Sequence, residues 1–138
     1  MQQYAWDKSL ETGIEKIDAQ HQQLFVAVNQ LISTYNKGND QDALRQDLDF
    51  LTNYTIKHFF DEEQIQKKYN YPDYPTHKKY HEGFKVIVRD LSIQFIMKGP
   101  SEALVNDIIA KIGGWLVSHI KVEDKKLAAY IKTQIKTA

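Results

Sequence analysis

The chain has 138 residues, Lys plus Arg equals Asp plus Glu at 18 each, and there is no cysteine. This is the length of one domain, with a core large enough to fold without staples. The balanced charge speaks against general affinity for nucleic acid or anionic membrane. The lack of cysteine excludes a disulfide framework, a thiolate metal site and a Cys nucleophile, so any metal must be held by nitrogen and oxygen. The opening "MQQYAWDKSLETG" has no basic-then-apolar leader, and no apolar run is long enough to span a bilayer. The expectation is a cytoplasmic protein with no membrane insertion.

"NKGND" (36–40), "YNYPDYP" (69–75) and "KGPS" (98–101) break the chain into segments whose apolar residues recur at alternating spacings of three and four, the period of packed helices. The first 17 residues carry Trp6 and no clear period, and read as an arm over the bundle. A first helix is expected from about Asp18 to Tyr35, with Ile17, His21, Leu24, Val28, Leu31 and Tyr35 in line. A second, from about Asp40 to Asn70, aligns Leu44, Leu48, Leu51, Thr55, His58, Glu62, Ile65 and Tyr69. The third opens near Pro75, suited to a first helical position, and aligns His77, His81, Phe84, Val88, Leu91 and Phe95. The fourth follows the N-cap candidate Ser101 through Val105, Ile108, Ile112, Trp115 and His119. Short connections make these an all-α, up-down-up-down four-helix bundle over residues 18–121. Residues 122–138 should form a short amphipathic helix laid outside through Leu127, Ile131 and Ile135.

All five histidines, His21, His58, His77, His81 and His119, fall on apolar stripes, and every helix supplies at least one. Five separate buried imidazoles would each need a partner, whereas one metal centre satisfies them together. Up-down topology brings the start of the first helix, the end of the second, the start of the third and the end of the fourth to one end of the bundle. His77 and His81, four apart, can chelate one ion. His58 and Glu62 have the same spacing, and a carboxylate among nitrogens can bridge two ions. Asp61 and Glu63 fall off the stripe and read as solvated. Asp18 is either a helix N-cap or an acceptor that orients His21. His119 and Asp124 are five apart, roughly 140° round an ideal helix. Asp124 can join only if the helix breaks between Ile120 and Glu123; otherwise it opens a new helix.

The histidine in "IDAQHQQLF", followed in order by "HFFDEE", "HKKYH" and "WLVSHIKVED", resembles the hemerythrin family in its single-domain bacterial form. The resemblance covers nearly the whole chain and implies a non-haem di-iron centre that binds O2 reversibly. It implies His77, His81 and His119 on one iron, His21 and His58 on the other, Glu62 and Asp124 bridging both, and a solvent-derived third bridge. By ligand count the iron of His21 and His58 keeps an open position for O2, and Phe25, Phe59, Trp115 and Ile120 are candidates to keep that pocket dry. No Glu-x-x-His is present and imidazoles outnumber carboxylates, which favours O2 carriage, storage or delivery to an O2-consuming enzyme over substrate oxidation. The alternatives are a sensor of O2, NO or redox state and a weak di-iron oxidase. One departure stands out: many relatives carry methionine where this chain has Gln66, a polar amide facing inward near the pocket.

Overall fold

The computed structural model describes residues 3–38 and 40–137. Residues 1, 2, 39 and 138 lie outside it, so the extreme ends of the expected arm and C-terminal helix are not placed. Four helices form the bundle: α1 (Glu15–Lys37), α2 (Gln41–Lys68), α3 (Tyr74–Lys98) and α4 (Glu102–His119). Each packs on two neighbours, α1 on α2 and α4, and α3 on α2 and α4. A π-helical turn (Ile120–Asp124) joins α4 to α5 (Lys125–Thr137). A short 3-10 turn (Lys8–Leu10) lies in the N-terminal arm.

The caps follow local chemistry. Asp40 accepts from the amides of Asp42 and Ala43, and Ser101 accepts from that of Leu104, so each satisfies donors that a helix start leaves unpaired. Pro75 sits in the first turn of α3, and Gly99 ends that helix at φ 73°, in the left-handed region. Two boundaries differ from the periodic reading. α1 starts at Glu15, three residues early, and α2 ends at Lys68. Asp18 is therefore inside α1, where its carboxylate accepts from the Thr12 amide and hydroxyl (both 2.8 Å) and the Gly13 amide (3.0 Å). It pins the arm to the helix, and is neither the N-cap nor a partner of His21.

The core is layered along the bundle axis. The largest cluster fills the end distant from the histidines: Leu24 to Ile32 of α1, Leu44 to Phe59 of α2, Phe84 to Phe95 of α3 and Leu104 to Leu116 of α4. A small cap of Ile17, Tyr71, Leu127 and Ile131 closes the other end. α5 belongs to this cap, and the Tyr130 hydroxyl ties it to the carbonyls of Tyr69 (2.7 Å) and Asn70 (3.1 Å). Ile135, expected on the buried stripe, is 54% exposed. Between the two clusters, every helix carries histidine or carboxylate where its stripe would otherwise hold leucine.

The expected break after His119 is absent. Ile120 to Asp124 stay helical but widen to the π register, so the chain runs on from α4 to α5. Inserting one residue into an α-helical ladder turns five-apart residues toward the same side. The π turn thus resolves the His119–Asp124 spacing without the chain leaving the bundle.

Candidate metal centre

His21, His58, Glu62, His77, His81, His119 and Asp124 are all buried, none more than 6% exposed. Their donor atoms form two sets, Glu62, His77, His81, His119 and Asp124 in one, His21, His58, Glu62 and Asp124 in the other, with all donors of a set within 4.8 Å of each other. The two carboxylates belong to both. Glu62 Oε1 lies 2.9 Å from His77 Nε2 and 3.3 Å from His81 Nε2, while its Oε2 lies 3.2 Å from His58 Nε2. Asp124 divides itself the same way. Oδ1 faces His77 (3.0 Å) and His119 (3.2 Å), and Oδ2 faces His21 (2.9 Å).

These contacts are close without being ordinary hydrogen bonds. Both Glu62 oxygens, Asp124 Oδ1 and His21 Nε2 are fully buried and find no well-aligned partner. Nε2 of His119 sits 3.0 Å from that of His77 and 3.2 Å from that of His81. Nitrogen and oxygen lone pairs crowded at such distances, and aimed between one another, are the donor arrangement for cations held by imidazole and carboxylate. The residues fit a metal centre.

The outer ring nitrogens are held differently in the two sets. His81 Nδ1 meets the Glu63 carboxylate at 3.0 Å. His58 Nδ1 meets the side-chain oxygen Oε1 of Gln20 at 2.7 Å, and Nε2 of Gln20 in turn donates to Asp61 at 2.8 Å, which also pairs with Lys57. Such outer partners fix the ring orientation and the tautomer of a ligating histidine. Glu63 is 7% exposed, so the expectation that it is solvated is wrong. α2 lies between α1 and α3 and buries a wide arc, which takes in Phe59 and Glu63 beside the central line of His58, Glu62 and Gln66. Asp61, also expected to be solvated, is half-buried and serves this relay. Gln20 was missed altogether, its only signal being its place beside His21.

The aromatic residues also divide. Phe59 stacks on His81 (3.8 Å, 2°) and Trp115 on His119 (4.3 Å, 13°), with Phe84 behind Trp115 (4.2 Å, 20°). Trp115 thus belongs to the three-histidine side, away from the His21–His58 side for which it was a candidate. Phe25 and Ile120 pack with Leu10 of the arm, and Trp6 lies edge-on to Phe25 (5.4 Å) and 6.4 Å from His21. Gln66 is fully buried on α2, one turn beyond Glu62.

Protons and cations compete for this site. Burial opposes charge on His21 and His77, but the close carboxylates of Asp124 and Glu62 win and raise them to about 9 and about 10. His81 is raised as well, against burial, by Glu62 and Glu63. Burial pushes Glu62 and Asp124 upward; the surrounding histidines hold both well below the usual carboxylate range.

An antiparallel bundle with a buried, nitrogen-rich cluster at one end defines a metal-binding helical-bundle protein. Residues 12–131 match the family model "Hemerythrin HHE cation binding domain", and the chain belongs to the hemerythrin family. It is 36% identical to a bacteriohemerythrin of Methylococcus capsulatus over 83% of this chain and 85% of that protein. It is 32% identical to a myohemerythrin of Theromyzon tessulatum over 89% of each. Among solved structures, wild-type hemerythrin superposes with a TM-score of 0.81 at 28% identity, covering 91% of this chain and 95% of that one.

Proposed function

We infer that the chain binds O2 reversibly at a non-haem di-iron centre, as an oxygen carrier, store or delivery protein. His77, His81 and His119 hold one iron, His21 and His58 the other, and Glu62 and Asp124 span both. The observation that carries this reading is the division of each carboxylate, one oxygen toward three imidazoles and the other toward the remaining two. Magnitudes favour it too. A buried Leu or Ile contributes roughly 1.5–3 kcal/mol, which seven core positions forgo here. Seven such positions forgo roughly 10–20 kcal/mol in all, and two bound metals at on the order of 10 kcal/mol each would offset that loss.

When bound, ferrous iron supplies the electrons that hold O2. The protein's part is to bind and to exclude water. Three imidazoles on one side against two on the other leave the His21–His58 side with fewer donors, and that side is walled by Phe25, Ile120, Leu10 and Trp6. Gln20 and Glu63 hold His58 and His81 in orientation. The excess of imidazole over carboxylate favours carriage over turnover, and an O2-consuming enzyme is the natural recipient.

Metal analysis after anaerobic reconstitution should find about two irons per chain. Anaerobic reduction, addition of O2 and its removal should give a visible absorption band that appears and disappears over repeated cycles. Fewer irons would sink the seven-ligand assignment. Irreversible oxidation would point to a sensor, and sustained turnover with a reductant to an oxidase.

A further inference from the structure

Several buried polar atoms remain unpartnered after the metal-facing atoms are set aside. They are both amide atoms of Gln66, the Tyr71 hydroxyl, His77 Nδ1 and, apart from these on α1, His21 Nδ1. The first four belong to three adjoining residues. The Tyr71 amide donates to the Gln66 carbonyl (2.9 Å), and the Tyr71 ring stands edge-on to His77, with ring centroids 6.3 Å apart and planes at 70°. All three residues are at least 94% buried: Gln66 is 0%, His77 1% and Tyr71 6% exposed.

Helical register places Gln66 in the layer of the apolar cap. Gln66 is four residues past Glu62, Ile17 four before His21, and Leu127 three past Asp124, so all lie one turn from the metal-facing layer, on the cap side. Ile17, Leu127 and Ile131 of that cap are apolar and pack round Tyr71. They offer no hydrogen bond to the amide or the phenol. Helical side chains lean toward the N-terminus, which carries the Gln66 carboxamide back toward the turn of Glu62.

We propose that Gln66, Tyr71 and His77 form a buried hydration site beneath the metal centre, whose ligand is water. With Nε2 of His77 turned to the carboxylates, Nδ1 carries the hydrogen. A single water then accepts from His77 Nδ1–H and from the Gln66 amide, and donates to Gln66 Oε1 and the Tyr71 oxygen. This is within the two to four polar partners that a buried water takes. It gives His77 the outer partner that Glu63 gives His81 and Gln20 gives His58. The consequence for His77 as a ligand rests on the metal-centre reading; the hydration site does not.

The test is a double-mutant cycle on the full chain, with metal content measured for every variant. Gln66→Met and Tyr71→Phe conserve volume and remove only polar atoms. Each alone strands the other's partner and should lower Tm by about 2–6 °C. The double variant should be no less stable than the worse single one, because neither Gln66 nor Tyr71 is then left unpaired and His77 Nδ1–H is stranded to the same extent in all three variants. Additive losses, or single variants that are neutral or stabilised, overturn the proposal. A high-resolution crystal structure adds the direct readout. Ordered water bridging Gln66 and Tyr71 supports the site, and an amide bonded directly to protein, with no water, overturns it. Loss of metal binding by the native chain would instead defeat the di-iron reading and leave the cycle interpretable.

Discussion

The two halves of the centre share their carboxylates and little else. The three-histidine half is clamped by Phe59 flat on His81, Trp115 flat on His119 and the charged Glu63 behind His81. The two-histidine half is backed by a neutral amide, Gln20, and covered by the N-terminal arm through Trp6 and Leu10. Stacked rings and a charged partner make a half whose histidines are fixed in place, so that it would hold a metal rigidly. A separate strand of chain laid over the other half makes a wall that is not part of the helices it covers. If the di-iron reading holds, the difference would separate retention from access within one buried layer.

The largest effect should come from erasing what the halves share. Glu62→Gln weakens one shared donor, and Glu62→Ala removes it and leaves five imidazoles round a cavity. We expect Glu62→Ala to lose both irons together, as read by metal analysis of the purified chain. Retention of one iron per chain would mean that the halves are independent and that Glu62 spans nothing. Asp124→Asn should act in the same sense but less severely, because one oxygen donor survives.

Changing the outer partners tests the asymmetry itself. Partners of this kind are worth 10–100-fold in metal affinity. Glu63→Gln keeps the size and removes the charge behind His81, so iron should leave about 10-fold faster under chelator challenge. Gln20→Glu makes the backing of His58 charged and should bring the two halves closer in release rate. Equal release kinetics in both variants and the native chain would erase the distinction.

In chelator-treated protein the halves should become alike, because protons replace the metal on both. His21 and His77 have folded values of about 9 and about 10 against an ordinary 6.5. Between those limits the folded chain binds more protons than the unfolded one, so stability falls as pH rises. That contribution is complete below about 6.5 and lost on passing 9 to 10. Glu62 and Asp124, depressed by the histidines, contribute stability above the ordinary carboxylate range and lose it as pH falls through their lowered values. The Tm of the metal-free chain should therefore be highest near pH 5–6 and decline toward pH 10. The iron-loaded chain should not share the alkaline decline, since metal binding displaces those protons.

Much of this was legible in the letters. Five histidines on apolar stripes, Glu62 one turn from His58 and the up-down order were enough to place six residues in one layer, because a stripe position fixes both face and depth; Asp124 joined them only through the family resemblance. What was not legible depends on the third dimension. Glu63 looked solvated on a wheel that assumed one buried line, whereas α2 is flanked by two helices and buries a broader arc. The turn at Ile120–Asp124 was expected as a break because an ideal α-helix cannot align residues five apart; a π turn does so while staying helical. Asp18 shows the same limit at the start of α1. A helix N-cap or an acceptor for His21 was expected from its type and position, but the arm folds back and takes its carboxylate through Thr12 and Gly13.

The smallest effect concerns the arm over the two-histidine half. Its fastening lies well along α1 and α4 from His21. The Tyr4 amide donates to Asn29 Oδ1 and the Asn29 amide donates to the Tyr4 carbonyl, both at 2.8 Å. The Tyr4 ring lies against Gly113, where a Cβ would come within 2.3–2.6 Å of it. Gly113→Ala improves helix propensity by about 1 kcal/mol, but the clash costs about 1–3 kcal/mol, so the net loss of stability should be slight. The displaced ring should loosen the arm, seen as faster hydrogen exchange at residues 4–10. If the arm is the cover, azide should enter the oxidised centre several-fold faster while its equilibrium affinity stays nearly unchanged. Faster exchange in the arm with unaltered azide entry would show that access runs elsewhere, and would remove the arm from the contrast between the halves.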